Sequence, residues 1–168
     1  MPVLVDNRQG SVPVDHRSLA HAAQRVLTDV GRPGGAVEVA VVDDRAIRRL
    51  NRAFRGVARR TDVLAFPLET PGAAGALVGQ VVISAQTALR QAHRLRVPCA
   101  LELALLVTHG VLHLVGYDDR DPVEAALMHR RERGLLMRGR PRIPDRLWSG
   151  LLPADRRNWP SGNRGAPR

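Results

Sequence analysis

Apolar and polar positions along the 168-residue chain fall into an ordered series of short periodic segments. Val3-Leu4-Val5 is an apolar run of the kind that makes a first strand. Asp15 suits a helix N-cap. After it, Leu19, Ala22, Ala23, Val26 and Leu27 recur at the spacing of one helical face, which predicts a helix to about Val30. Gly31 and the Pro33-Gly34-Gly35 turn close it. Val37 to Val42 alternates around Glu38 and then runs continuously apolar, as a strand does when both its faces are buried. Asp43 or Asp44 caps a second helix, with Ile47, Leu50 and Phe54 as its inward residues. A third strand is expected over Thr61 to Phe66, stopped by Pro67, and a flexible loop over residues 69–77. Val78 to Ile83 is the fourth strand, and Ser84 caps a helix to about Val97.

Pro98 breaks the chain and opens a helix over about 99–115. Leu101, Leu105, Leu112 and Val115 make it apolar on nearly every side, so this helix is expected to be central. Gly116 ends it, as glycine does after a helix C-terminus. Asp121-Pro122-Val123-Glu124 has the form of a capping box with proline at the first helical position, and starts a last helix to about Met137. Periodicity is lost after Gly139. The order predicts an α+β domain over residues 1–139, a small mostly four-stranded mixed sheet packed with about five helices. Residues 140–168 are expected to be a basic, flexible, Pro/Gly/Arg-rich tail, with Leu147-Trp148 and Leu151-Leu152 as docking points.

Composition narrows the class. The chain is 44% hydrophobic but has five aromatic residues, so its core must be built from Val, Leu, Ile and Ala. A single cysteine, Cys99, excludes an internal disulfide and a cysteine-rich zinc cluster. The N-terminal residues have no basic-then-apolar signal-peptide pattern, and the run from Cys99 to Val107 is far short of a membrane span. A cytoplasmic protein that does not enter the membrane is expected. The net charge of +10 comes wholly from arginine and lies mainly toward the C-terminus, where residues 120–168 hold 12 Arg against 5 acidic groups. Such a field attracts phosphate backbones without sequence preference. An arginine-rich solvated tail accounts for the same charge.

Two histidines interrupt the central helix. His109 and His113 are four residues apart, one above the other on a helix, and can present two imidazoles to one ion. Gly116 lets the chain turn back, and Asp119 lies where His-x-x-x-His-x-x-Gly-x-x-His zinc enzymes place a third ligand. Three protein ligands leave a position open, as catalytic zinc sites do. Packing and hydrogen bonding alone would equally account for a histidine pair. Gly110 stands where His-Glu-x-x-His peptidases carry their general base, which disfavours that chemistry. With Asp as third ligand the site is more negative than a three-histidine site. Zn2+ is the expected ion, with Mn2+ or another divalent cation more competitive than usual.

The segment His109-Gly110-Val111-Leu112-His113-Leu114-Val115-Gly116-Tyr117-Asp118-Asp119 resembles the signature of the YbeY-type endoribonucleases, bacterial 16S rRNA maturation factors. Leu50-Asn51-Arg52-Ala53-Phe54-Arg55, Thr61-Asp62-Val63-Leu64-Ala65-Phe66-Pro67 and Gly79-Gln80-Val81-Val82-Ile83-Ser84 resemble further blocks of that family in order and spacing. The resemblance covers about residues 3–138. It implies a metal-dependent endoribonuclease specific for single strands, acting on rRNA and the small ribosomal subunit in 3′-end maturation and quality control. It implies metal ligation by His109, His113 and the residue at 119, and makes Arg55 and His113 the candidate catalytic residues. Three positions depart from the family pattern: Asp119 and Gln80 replace histidine and aspartate, and Ala65 replaces serine. A ribosome-binding factor of the same fold with a weakened or inactive site is therefore the alternative. A metallohydrolase acting on another substrate is a third reading.

Overall fold

The computed structural model of the chain describes residues 3–56, 61–68, 77–138, 140 and 142–151. Four strands, β1 (Val3–Asn7), β2 (Ala36–Val42), β3 (Val63–Pro67) and β4 (Leu77–Ser84), form one sheet in the order β1-β2-β4-β3. β1, β2 and β4 run parallel, and β3 is antiparallel to β4 at one edge. The helices are α1 (His16–Asp29), α2 (Asp44–Arg55), α3 (Ala85–Leu95), α4 (Cys99–Leu114) and α5 (Pro122–Leu136), followed by a 3-10 helix over Asp145–Gly150. This is the α+β architecture expected from the sequence. Among the described residues no helix is long and apolar enough to cross a membrane.

Strand alternation sorts the side chains into two apolar layers. Val37, Val39, Val41, Ala65, Val81 and Ile83 face the layer of α1, α3, α4 and α5. Ala40, Val42, Leu64 and Val82 turn to the other face, where Ile47 of α2 covers them. α4 lies in the middle of the thicker layer, and every residue from Leu101 to Leu114 is buried. Gly110 fixes how close α4 comes to the sheet. A Cβ there would sit 2.6 Å from a Val81 methyl and 3.2 Å from one of Val63. Position 110 therefore has no room for the glutamate of a His-Glu-x-x-His site.

Local signals account for most element ends. Asp15, Asp43, Ser84 and Asp121 each cap a helix with a side-chain oxygen. Asp43 rather than Asp44 caps α2; Asp44 accepts from the Ser84 and Thr87 hydroxyls and so ties α2 to α3. Gly116 is left-handed at φ 104°, and the Tyr117 amide returns to the Leu112 carbonyl.

Other expectations needed correction. Phe54 is 68% exposed rather than inward, and Asn51 is buried. The inward stripe of α2 runs Ile47, Leu50, Asn51, and one turn later Phe54 lies at the margin, meeting the Phe66 ring of the edge strand edge-on at 5.2 Å. The third strand begins at Val63 and includes Pro67. A proline is tolerated there because β3 is an edge strand. Of the expected loop 69–77, residues 69–76 lie outside the described residues. So do 152–168, which include Leu152 of the expected docking points. In the part of the expected tail that is described, Ile143 and Leu147 are buried with Ala92, Leu101, Leu105 and Leu136.

Candidate metal centre

Helix geometry places His109 and His113 on one face of α4, and the turn after Gly116 brings Asp119 back over them. The two imidazoles meet through their Nε2 atoms at 3.0 Å. The Asp119 carboxylate lies 3.5 Å from His109 Nε2 and 3.6 Å from His113 Nε2. Four-coordinate zinc with bonds of about 2.0–2.2 Å separates its donors by about 3.3–3.6 Å. The three observed separations lie within a few tenths of an ångström of that range.

The outer nitrogens decide which way the imidazoles point. His109 Nδ1 is 2.8 Å from Glu132 Oε1, and His113 Nδ1 is 2.9 Å from the Tyr117 carbonyl oxygen. A carboxylate and a carbonyl only accept, so each Nδ1 carries the proton and donates it. Each Nε2 lone pair is then directed inward. Two such lone pairs and a carboxylate face one another only with a proton or a cation among them, and this is how protein groups prepare histidines for a metal. Asp119 Oδ1 is buried without a hydrogen-bond partner among the described residues, which adds an acceptor open to a cation. The donor set fits a divalent metal.

The surroundings of the trio are negative. Burial works against charge on His109, but the Glu132 hydrogen bond and the charges of Glu132, Asp119 and Asp62 outweigh it and raise its pKa. Burial and the neighbouring His109 lower that of His113. For Asp119 burial alone would raise the pKa, yet the closeness of His113, and then of His109, brings it down to about 2. A negative carboxylate is thus held against two largely buried imidazoles.

The trio of His109, His113 and Asp119 comes together as the spacing suggests, whereas Asp118 turns away to pair with Arg120. Arg55 stands apart from the trio in the fold. It ends α2, half-buried, on the opposite face of the sheet from α4. Both helices nevertheless finish at the same end of the β3–β4 pair. Phe54 meets Phe66 on one side, and a Cβ on Gly79 would collide with the Phe66 carbonyl and with Leu114 of α4 on the other. Gln80 bonds Glu38 on the neighbouring strand. His93 is exposed and His129 half-buried, as surface histidines.

Sequence reasoning missed Glu132. Its signal was present: Met128, Glu132 and Leu135 share one stripe of α5, so an acid occupies a core position. Glu132 has no exposed surface, and its second oxygen accepts from the Trp148 indole N–H at 2.7 Å.

These features define a class: an α+β protein with a buried His-His-Asp constellation on its central helix, suited to a divalent metal. A sequence model of the family described as Endoribonuclease YbeY matches residues 4–139, and the chain belongs to that family. It is 45% identical over 147 residues to the endoribonuclease YbeY of Pelotomaculum thermopropionicum, covering 82% of this chain and 97% of that protein. It is 44% identical over 116 residues to that of an Anaeromyxobacter species, where the match spans 69% of this chain but only 60% of the relative's length. The solution structure of a Thermotoga maritima protein is similar in fold, with TM-score 0.55 and 24% identity over 88% of this chain and 89% of that one.

Proposed function

We propose that the protein is a metal-dependent endoribonuclease that hydrolyses phosphodiester bonds in single-stranded RNA. Its setting is the cytoplasm, where it acts on the small ribosomal subunit in 16S rRNA 3′-end maturation and in ribosome quality control. Family membership supports the RNA-cleaving class, since the relatives bear that name. The observation that carries the reading is the convergence of His109 Nε2, His113 Nε2 and the Asp119 carboxylate in one buried site with both outer nitrogens anchored.

His109, His113 and Asp119 hold the ion, with Zn2+ preferred and Mn2+ admitted by the carboxylate. A divalent cation supplies Lewis acidity toward a phosphoryl oxygen and lowers the pKa of water. The chain's own groups do the rest. Glu132 and the Tyr117 carbonyl keep the imidazoles in one tautomer, so that His113 meets the reacting centre through Nε2. Arg55, with a planar guanidinium suited to phosphate, binds the substrate backbone and offsets charge developing on it. Phe54, exposed between Arg52 and Arg55, offers a ring face to an unpaired base. The intact donor set is why cleavage is preferred over a ribosome-binding role without catalysis.

Metal analysis together with cleavage of a single-stranded RNA by wild type and His113→Ala tests the reading. One bound divalent ion and loss of cleavage in the variant are expected. Full activity in metal-stripped protein, or in the variant, would overturn it.

A further inference from the structure

The family match ends at residue 139, yet a side chain from beyond it reaches the support of the candidate metal centre. The Trp148 indole N–H donates to Glu132 Oε2 at 2.7 Å, while Glu132 Oε1 holds His109 Nδ1 at 2.8 Å. Trp148, Glu132 and His109 therefore stand in series, ending at the Nε2 that faces His113 and Asp119. Contacts remote from the site hold this segment in place. Leu147 is fully buried, and the Arg146 guanidinium donates to the carbonyls of Leu95 and Arg96. Gly150 packs so closely on Leu95 that a Cβ would lie 2.6 Å from it. Arg133 lies over the Trp148 ring, 4.5 Å from its centroid, and pairs with Asp145.

We propose that Trp148 is a positioning residue for the metal centre, and that residues 142–151 form a latch that fixes His109 through Glu132. The proposal rests on the reading of His109, His113 and Asp119 as metal ligands. Glu132 has no exposed surface in the intact protein, so its Oε2 depends on the indole N–H and not on solvent. A carboxylate holding one donor on each oxygen has a single orientation. With one donor removed it gains a buried, unsatisfied oxygen and a reason to rotate off His109. Removing a group that hydrogen-bonds a metal-ligating histidine costs about 10–100-fold in metal affinity. Trp148 acts one residue further out, and its loss costs about 3–10-fold, a part of that effect. Coupling of this kind is reciprocal, so metal binding alters the surroundings of the Trp148 indole.

The test is Zn2+ affinity, measured by chelator competition on wild type, Trp148→Phe, Glu132→Gln and the double variant. Phenylalanine keeps a ring beneath Arg133 but loses the N–H together with the five-membered ring, so the double variant is what separates loss of the hydrogen bond from loss of packing. The zinc dissociation constant should rise about 3–10-fold in Trp148→Phe and about 10–100-fold in Glu132→Gln, with the double variant no weaker than Glu132→Gln alone. An independent readout leaves Trp148 intact. In Trp159→Phe protein, where Trp148 is the remaining tryptophan, its emission should change as zinc saturates the site. Equal zinc affinity in wild type and Trp148→Phe overturns the proposal alone, as does emission indifferent to zinc. Multiplying factors in the double variant would show Trp148 acting by packing and not through Glu132, which also overturns it. A wild type that takes up no divalent ion overturns the metal reading and this proposal with it.

Discussion

Glu102 lies on α4 with no exposed surface, and among the described residues neither of its carboxyl oxygens has a hydrogen-bond partner. Burial, reinforced by the charge of Asp62 and only partly offset by Arg94, pushes its pKa from an ordinary 4.5 up to about 8. Between those values the folded protein keeps a proton that the unfolded chain releases. Unfolding then loses protons, and stability falls as pH rises, by up to about 1.4 kcal/mol per pH unit. Summed over the window, the loss is on the order of 3–5 kcal/mol, complete once the folded-state group has also ionised. Glu102→Gln keeps the shape and cannot ionise. Urea unfolding should be followed by circular dichroism from about pH 5 to about pH 8.5, with chelator throughout, because metal binding to the histidines strengthens with pH and has the opposite sign. The two proteins should be close in stability at the acid end, with the glutamine variant increasingly the more stable toward the alkaline end. Contributions from His109 and other groups are common to both and cancel in the difference. Parallel stability curves would refute the reasoning.

Three further outcomes follow from the packing and the site. Gly110→Ala drives a methyl against Val81 and Val63, and should cost about 1–3 kcal/mol in denaturant unfolding; a neutral change would mean that α4 can move off the sheet. Asp119→Ala should weaken divalent-metal binding by at least about 10-fold in chelator competition, whereas Asp119→His should keep binding and shift preference from Mn2+ toward Zn2+; an unchanged preference would contradict Asp119 as a ligand. Phe54→Ala should raise KM for single-stranded RNA by about 5–100-fold, the worth of one stacked base, with kcat and stability little changed because the ring is largely exposed.

What could be read in the sequence was what depends on neighbours along the chain. The four caps, the glycine stop at 116 and the i, i+4 histidine pair are local, and each stands where the pattern put it. Spacing also brought Asp119 to the pair, because a turn of fixed length after a fixed helix end leaves little freedom. What escaped depends on partners remote in sequence. The place of β4 between β2 and β3 is a tertiary choice that no period encodes. Phe54 reads as inward by period, yet it lies over the edge strand beside Phe66 and stays largely exposed. Glu102 and Glu132 sit on apolar stripes where a period-based reading has no use for an acid, and their environments come from other elements. Leu147-Trp148 was legible as a docking point, but not what it docks on: Leu147 packs among residues of α3, α4 and α5, and the indole meets Glu132.

The central claim is that this chain holds a divalent metal on His109, His113 and Asp119. Anomalous diffraction at the zinc edge, from crystals of zinc-loaded protein, tests it most directly. One strong peak is expected about 2.0–2.2 Å from His109 Nε2, His113 Nε2 and an Asp119 oxygen, with Glu132 still on His109 Nδ1. A site without a peak, or a peak with Asp119 turned away from it, would rule out this ligand set.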